Sequence, residues 1–300
     1  MRRPVTRTRC LILTLLLCAV ATTAANAAAP SRWQADVTAL DPPSSNVRVV
    51  NGDLTIGDVR PASLSGERTG IALLAPHRLP CAANRITATA QVQQGSAEVQ
   101  VRGRRPGGWT PWRSAPVRLA VPVTVVQARI LLAGQTTVEG VELTAGSVAA
   151  SPRATPEPAA YRVYATREGL VGGITANGHT ITKDDHFVAL PSRRGLSTQH
   201  GDGFLVKVCT EKKCVTAPVW DVGPWNTHDD YWNAPRELFT ELARGMPEAQ
   251  AAYTDDYNDG LDGFGRQVRN PAGIDLADGT FHDLGLTGST WVTVTYEWTR

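Results

Sequence analysis

Short apolar runs recur from residue 31 to about residue 150, and they constrain the fold of this chain more than any other feature. Val47–Val50 and Thr69–Leu74 are two such runs, and turn residues such as Pro106-Gly107 separate most of them. Residues 97–102 alternate between apolar and polar, as a strand with one solvated face does. No segment of helical length and period interrupts the pattern. We therefore expect residues 31–150 to form a β-sandwich of the jelly-roll type.

Two tryptophans, Trp109 and Trp112, flank a turn of this segment. Their rings suit either stacking on sugar rings or closing one end of the sandwich, and both interpretations stay open. In its pattern of strands, though in no motif, the segment resembles the β-sandwich modules that precede catalytic domains in secreted bacterial wall amidases. That resemblance implies an accessory domain.

The stretch Ser151–Ala160 contains three prolines, which keep a chain extended and unpaired, so we expect a linker here. It separates the sandwich from a second domain, residues 161–300, which is again rich in short apolar runs. The predicted strands of this domain are Arg162–Thr166, His186–Leu190, Gly203–Cys209, Val215–Trp220 and Trp291–Trp298. A long segment between Trp225 and Gly273 interrupts it, with helical character in Pro235–Arg244 and Pro247–Tyr253.

The first 27 residues have the pattern of a signal peptide. An arginine-rich start precedes the apolar run Cys10–Val20, and Ala25-Asn26-Ala27 fits a cleavage site. Without the leader, 26 basic residues face 28 acidic ones, so the net charge does not favour nucleic acid or an anionic membrane as partner. The apolar run is too short for a typical spanning helix, and no later run is longer. We expect a secreted monomer without a membrane span.

Three cysteines follow the leader. Cys209 and Cys214 enclose a polar turn between two predicted strands, at a spacing that can close a disulfide across a hairpin, and export permits one. Cys81 is then left over, and we expect it to be buried and inert, with an intermolecular bridge as the alternative. No histidine lies near the pair at zinc-ligand spacing, and Asp255–Gly260 fails the EF-hand pattern. The sequence therefore predicts neither a metal nor a cofactor.

The stretch Val219–Trp225 carries the strongest chemical signal. A predicted strand ends at Trp220, Asp221 follows, and Gly223-Pro224 fixes the next turn of the backbone. A carboxylate at a strand end beside two indoles is partly desolvated, which raises its pKa and suits it to donate a proton. The alternative is an aspartate that caps a turn beside core tryptophans.

Four short stretches occur in a fixed order along the second domain: Thr175-Ala176-Asn177-Gly178, Val188–Pro191, Val219–Trp225, and Gly273–Ala277 running on to Leu284–Leu286. This order resembles the double-psi β-barrel family of rare lipoprotein A, with its T-A-N-G turn, A-A-H-x-x-L-P segment, N-D-R-G-P-F loop and I-D-L-S motif. Expansins, barrel endoglucanases and membrane-bound lytic transglycosylase A share this barrel. The resemblance covers roughly residues 161–298 and implies a six-stranded double-psi β-barrel.

The resemblance also implies two catalytic carboxylates, with Asp221 at the Asp of N-D-R-G-P and Asp275 at the Asp of I-D-L-S. Such a pair suits cleavage of a glycosidic bond, because one carboxyl donates to the leaving oxygen while an ionised neighbour keeps its pKa high. The family's Asn and Arg beside the first aspartate are Trp220 and Val222 here. Near the first strand only Glu168 is available as a base for water, which argues against hydrolysis. Asp275 has the alternative role of capping a short helix.

Six further residues are predicted to bind the glycan. They are Thr175, Asn177, His179, His186, Trp225 and Trp232. Asn177-Gly178 also fits a hairpin turn that needs positive φ, so the T-A-N-G residues have a structural alternative. His179 has the alternative of a turn residue. The tryptophans have the alternative of filling the core.

The sequence thus predicts a secreted, cell-wall-associated protein that binds the glycan strands of peptidoglycan. Lytic transglycosylase chemistry at Asp221 and Asp275 is the hypothesis for catalysis. Two alternatives use the same barrel, namely an expansin-like module that binds polysaccharide without cutting it and a secreted protease inhibitor. Likeness of fold does not choose among them, because function resides in the site.

Overall fold

A computed structural model of the protein describes residues 29–62, 68–148, 158–199 and 201–299. The predicted signal peptide, residues 1–27, lies outside these residues, and so does most of the predicted linker at 151–160. The predicted end of that linker is wrong, because Ala159 and Ala160 already belong to a strand.

Nine strands of the N-terminal half form one sheet. They are β1 (Ser31–Ala35), β2 (Leu40–Ser45), β3 (Val47–Val50), β4 (Asp53–Ile56), β5 (Thr69–Leu74), β6 (His77–Arg105), β7 (Gly108–Trp109), β8 (Arg113–Ser114) and β9 (Val117–Gly146). Strands β2, β5, β9, β4 and β3 are neighbours in that order. Strands β1 and β6 also pair with β9, and β7 and β8 pair with β6.

One aliphatic core holds this sheet together. Its members without exposed surface include Leu54, Ile86, Ile130 and Val141. Much of the core comes from β6 and β9, which pair along most of their lengths, for example at Val101 and Ala128. The predicted β structure of this half, rich in short apolar runs, is confirmed.

The C-terminal half contains a closed barrel of six strands. They are β10 (Ala159–Arg167), β11 (Val188–Leu190), β12 (Leu205–Cys209), β13 (Cys214–Val222), β14 (Ala272–Leu276) and β15 (Thr290–Tyr296). The order around the barrel is β10-β14-β11-β13-β12-β15, and the pairs β10–β14 and β11–β13 are parallel. The predicted six-stranded double-psi β-barrel is confirmed, although β14 was not among the predicted strands.

Aromatic rings fill one part of the barrel core. Trp232 stacks on Tyr296 with ring centroids 5.2 Å apart, and Trp298 packs edge-on against both rings. The hydroxyl of Tyr296 donates to that of Tyr231 at 2.6 Å, and the hydroxyl of Tyr231 donates to the carbonyl of Gly273 at 2.9 Å. Trp232 has no exposed surface. The prediction that Trp232 binds glycan is therefore wrong, because its ring is part of the core.

The segment between β13 and β14 is mostly irregular. It contains helix α1 (Glu248–Asp255) and a short 3₁₀ turn at Tyr257–Gly260, and helix α2 (Asp278–Asp283) follows β14. Helix α1 confirms the helical prediction at Pro247–Tyr253.

The helical character predicted for Pro235–Arg244 is wrong. The buried guanidinium of Arg236 lies inside this stretch, pairs with Asp229 and donates to the carbonyl of Met246 at 2.9 Å. A network of side-chain contacts therefore organises the segment in place of helical backbone bonds.

The two halves of the chain pack directly on each other. Ile71 and Leu131 of the sheet form a buried cluster with Ala176, Leu196 and Val222 of the C-terminal half. A second contact between the halves is made by Arg129.

Arg129 reaches from the sheet into this contact and has no exposed surface. Its Nη1 donates to the carbonyl of Leu196 at 2.7 Å, and its Nε donates to Gln100 at 2.9 Å. The guanidinium also lies over the rings of Trp112 and Phe204, 5.1 and 4.9 Å from their centroids. Apolar and polar contacts thus join the two halves into a shared core.

The predicted disulfide between Cys209 and Cys214 is present and joins the ends of β12 and β13. The prediction that Cys81 is buried is wrong, because it is a free and exposed cysteine in β6. No helix within the described part of the chain is long and apolar enough to cross a membrane.

Replacing Trp232 by Ala should lower the free energy of unfolding by about 3–5 kcal/mol, because it removes a buried ring from the barrel core. Urea unfolding measures the change. The matched control is Trp291→Ala at an exposed tryptophan, which should cost less than half as much. Equal losses in the two variants would contradict the core role of Trp232.

Candidate functional site

The two predicted catalytic aspartates lie on either side of one residue of the barrel. Ala189 in β11 pairs with Asp221 in β13 and with Asp275 in β14. Strands lie about 4.8 Å apart, so the two aspartate Cα atoms are roughly 10 Å apart. Because Val188 and Leu190 belong to the barrel core, Ala189 and its two partners face the opposite side. The barrel therefore brings two carboxylates, 54 residues apart in the chain, to the same side of its wall.

Asp221 is fully buried and holds two backbone groups. Its Oδ1 accepts hydrogen bonds from the N–H of Ala176 at 2.7 Å and the N–H of Val222 at 2.8 Å. The carboxylate thus fixes the T-A-N-G turn against the end of β13.

A third carboxyl group, that of Glu168, completes the cluster. Glu168 follows β10 directly, and its N–H donates to the carbonyl of Leu276 at 2.9 Å. Its carboxyl lies close enough to the Asp221 carboxyl for the two groups to shift each other's pKa. Both Glu168 oxygens and Oδ2 of Asp221 are buried and accept no hydrogen bond from a donor group of the described structure. Two carboxyl groups in contact must share a proton, since two ionised ones would repel each other.

Burial and mutual repulsion keep protons on this cluster. Burial, followed by the charge of Asp221, raises the pKa of Glu168 well above its ordinary value. Burial raises the pKa of Asp221 to about 6, although its backbone hydrogen bonds act in the opposite direction. The pKa of Glu168 is thus raised by burial and by the Asp221 charge together, whereas the contacts of Asp221 partly offset its burial.

Asp275 is partly buried, as Glu168 is, but both carboxyl oxygens of Glu168 are buried. The hydroxyl of Thr166, its register partner in β10, donates to Oδ1 of Asp275. Burial raises the pKa of Asp275 to about 6, and the charge of Asp221 adds to this effect. The helix-cap alternative is wrong, because Ala277 occupies the N-cap of α2 and no side chain caps that end.

An ion pair lies beside the cluster. Arg167 pairs with Asp278 at 2.6 Å, and this contact holds the pKa of Asp278 below its ordinary value. The Asp278 charge contributes to the raised pKa of Glu168. Arg167 is thus engaged with Asp278 next to the carboxyl that carries the proton.

The T-A-N-G residues contact the end of the strand that carries Asp221. Thr175 and Asn177 are buried, and the Thr175 hydroxyl donates to Oδ1 of Asn177 at 2.7 Å. The N–H of Asn177 donates to the carbonyl of Trp220 at 3.1 Å. The side chains of Thr175 and Asn177, which were predicted to bind glycan, bond to each other within the turn. Their contacts therefore favour a structural role in the turn over glycan binding.

His179 and Trp220 form a partly exposed aromatic wall beside this turn. Their ring centroids are 4.7 Å apart, and Phe187 packs against both. Nε2 of His179 lies 2.6 Å from a carboxylate oxygen of Asp185. This wall lies beside the turn whose backbone donates to Asp221. The prediction that His179 contacts a ligand therefore stays a prediction.

The remaining predicted binding residues contact groups outside the carboxyl cluster. His186 is exposed and pairs with Asp283 at 2.9 Å. Trp225 is half-buried, packs against residues of α1 and donates from Nε1 to Asn270 at 3.1 Å. The structure therefore groups Trp225 with the inserted segment.

Among the described residues, no group of three or more His, Cys, Asp or Glu side chains is arranged to hold a metal ion.

Sequence reasoning recognised Glu168 only as an acid near the first strand and missed its contact with Asp221. The signal that was available is its position directly after β10. Because β10 runs parallel to β14, the residues that follow β10 come close to the end of β14 and to Asp275.

Residues 159–295, which span β10 to most of β15, match a family described as a domain of unknown function (DUF8814). A comparison with curated proteins found no match. The matched region contains all three carboxyl groups of the cluster and all six barrel strands.

The free energy of unfolding should fall as the pH rises from about 4.5 to about 7.5. The folded pKa of Asp221 and of Asp275 is about 6, above the ordinary 3.8, so the folded state retains protons that the unfolded chain has released. Their stabilising contribution is complete below about pH 4 and is lost as the pH passes through about 6. Urea unfolding at several pH values measures this slope.

Asp275→Asn should flatten that slope, because it removes one of the groups that titrate. The matched control is Asp259→Asn, which neutralises an exposed carboxylate of the 3₁₀ turn and should leave the slope unchanged. A slope of the opposite sign in the unmodified protein would contradict the raised pKa values.

Proposed function

We propose that this chain is an exported protein that binds the glycan strands of the cell wall and cleaves them as a lytic transglycosylase. One observation carries the proposal, which is the convergence of the carboxyl groups of Glu168, Asp221 and Asp275. Such a cluster keeps a carboxyl protonated near neutral pH, as acid catalysis of glycosidic cleavage requires. The pattern of the leader and the resemblance to rare lipoprotein A support export and a wall glycan as substrate.

Within this proposal Asp275 is the catalytic residue, because Asp221 is fully buried and both carboxyl oxygens of Glu168 are buried, whereas Asp275 is only partly buried. Asp221 and Glu168 are positioning residues. Their shared proton keeps negative charge next to Asp275, and burial together with that charge raises the pKa of Asp275. Thr166 fixes the orientation of the Asp275 carboxyl through its hydroxyl.

The reaction takes two steps. First, the Asp275 carboxyl transfers its proton to the glycosidic oxygen, the bond from that oxygen to C1 breaks, and positive charge develops at C1. Second, the Asp275 carboxylate accepts the proton of the sugar's own 6-hydroxyl, and the oxygen of that hydroxyl bonds to C1. The product is a 1,6-anhydro sugar, no water is consumed, and the carboxyl is restored.

The burial of Glu168 and Asp221 favours this route over hydrolysis. An inverting hydrolase needs a second carboxylate that activates a water molecule on the far face of the sugar. Asp221 is fully buried and both carboxyl oxygens of Glu168 are buried, so neither reaches such a water. An internal hydroxyl of the sugar needs no second carboxylate.

Asp275→Asn should reduce the formation of anhydro-muramyl products from purified glycan strands by about 100-fold or more, because it removes the group that donates and accepts the proton. Product analysis by mass spectrometry measures the yield. In the unmodified protein the yield should fall as the pH rises above about 6, since the acid form of Asp275 is then lost.

Asp259→Asn serves as the control and should retain full activity. Glu168→Gln should shift the pH dependence of activity, because it alters the charge beside Asp275. Products with a reducing end would indicate hydrolysis, and the absence of any product between about pH 4 and pH 8 would remove the enzymatic proposal.

The second candidate function is an expansin-like module that binds glycan without cutting it. The complete burial of Asp221 and of the Glu168 carboxyl oxygens favours it, because neither group reaches solvent. In that case Asp275→Asn would leave sedimentation with insoluble wall material unchanged, and no glycan products would form.

A further inference from the structure

Arginine and tryptophan side chains alternate in a stack that runs from the surface of the sheet into the contact with the barrel. Cζ of Arg104 lies 5.2 Å from the Trp109 ring centroid, and Cζ of Arg102 lies 4.6 Å from Trp109 and 4.3 Å from Trp112. Arg129 continues the stack at its buried end, 5.1 Å from Trp112. We call Arg104, Trp109, Arg102, Trp112 and Arg129 the arginine–tryptophan stack.

The outer end of the stack lies on a hairpin that projects into open space. Arg104 in β6 pairs with Trp109 in β7, and Arg105 pairs with Gly108. Arg104 and Arg105 are exposed. A Cβ placed on Gly107 or Gly108 would meet no atom within 4 Å, so nothing in the described structure covers this tip.

The cations of the outer stack have no acidic partner in the described structure. None of the ion pairs among the described residues involves Arg102, Arg104 or Arg105. The partner of Arg102 is the neutral amide of Gln127, whose oxygen accepts from Nε at 2.9 Å. Burial, followed by the charge of Arg104, lowers the pKa of Arg102 to about 10. The cluster is therefore an uncompensated positive site.

The surrounding charge distribution is also uneven. Residues 29–148 contain twelve arginines and no lysine against eight acidic residues, whereas residues 158–299 contain twelve basic residues against 19 acidic ones. The small net charge of the whole chain conceals this separation. An anionic ligand would therefore be attracted to the sheet and repelled by the barrel.

Stacking on tryptophan orients the guanidinium groups and restricts their rotamers. The planar faces of Arg102 and Arg104 lie against the rings. The Nε and Nη2 groups of Arg102 already donate to Gln127, so the N–H edge that remains available to an anion is that of Arg104. Guanidinium edges bind carboxylate and phosphate groups through paired hydrogen bonds. Because the side chains are already ordered, less conformational entropy is lost when a ligand binds.

We propose that the hairpin at Arg102, Arg104, Arg105 and Trp109 is a binding site for an acidic polysaccharide that carries carboxylate or phosphate groups. Two observations favour a polysaccharide over nucleic acid. Single-stranded nucleic acids bind through bases stacked on open aromatic faces, and arginines already lie against the Trp109 ring. A duplex needs an extended basic surface, and the adjoining barrel carries excess acid. This site is separate from the carboxyl cluster and does not depend on the proposed catalysis.

The test is binding of the full-length chain to polygalacturonate, measured by calorimetry at low and at moderate salt. Arg104→Gln and Arg105→Gln should each weaken binding by about fivefold, and binding should decline with salt. Trp109→Leu keeps every charge but removes the ring that orients the arginines, and it should also weaken binding by several-fold. Circular dichroism checks that each variant is folded.

The matched control is Arg48→Gln, which removes one positive charge from an exposed arginine of the same half that is already paired with Asp58. It should change the affinity by less than about twofold. Equal effects of Arg48→Gln and Arg104→Gln would overturn the site. Equal affinity for neutral dextran would overturn its anionic specificity.

Two further probes identify the ligand class. Binding to poly(glycerol phosphate) that depends on Arg104 supports phosphate as the recognised group, whereas binding to polygalacturonate alone supports carboxylate. Tighter binding to an oligonucleotide of the same charge than to either polymer would overturn the assignment to polysaccharide. All of these results are independent of Asp275→Asn, so failure here is distinguishable from failure of the proposed function.

Discussion

The two hydrogen bonds that Asp221 accepts from Ala176 and Val222 connect the main parts of this molecule. They fix the T-A-N-G turn to the end of β13, and the same two residues pack against Ile71 and Leu131 of the N-terminal sheet. Loss of the carboxylate would leave two buried N–H groups without acceptors, at a cost of about 1–3 kcal/mol each. One side chain therefore supports the barrel, its contact with the sheet and the carboxyl cluster.

Buried acids recur within the insertion as well as on both sides of it. Burial raises the pKa of Asp229 to about 6 and that of Glu248 to about 7, in addition to the effects at Asp221 and Asp275. A chain that buries several carboxyl groups is most stable when some of them are protonated. These buried carboxyl groups lower the free energy of unfolding near neutral pH. Such a loss is expected where ionisable groups are placed for a functional site.

Much of the fold follows from patterns that are local in the chain. Short apolar runs identified most strands, and the spacing of Cys209 and Cys214 identified the disulfide. Several failures have a shared cause, which is that they depend on contacts between distant segments. Trp232 is a core residue because the insertion folds back into the barrel, and Arg236 replaces a predicted helix with contacts to remote carbonyl and carboxylate groups.

In the candidate site, too, local patterns predicted some features, and contacts between distant segments decided the others. The order of four motifs indicated Asp221 and Asp275, and the register of β11 with β13 and β14 explains why they come together. The sequence alone did not predict the contact of Glu168 with Asp221, because that contact arises only when β10 pairs with β14 in parallel. Nor could total charge reveal the arginine–tryptophan stack, since acids of the barrel cancel the arginines of the sheet.

The separation of charge between the sheet and the barrel makes the protein an electric dipole. Near a negatively charged polymer such a dipole experiences a torque, so the sheet leads during approach and the barrel trails. The shared core around Arg129 makes the two halves rotate together. The preferred orientation of the protein as it approaches such a polymer therefore depends on the charges of the whole chain. This preference weakens as added salt shortens the distance over which the field acts.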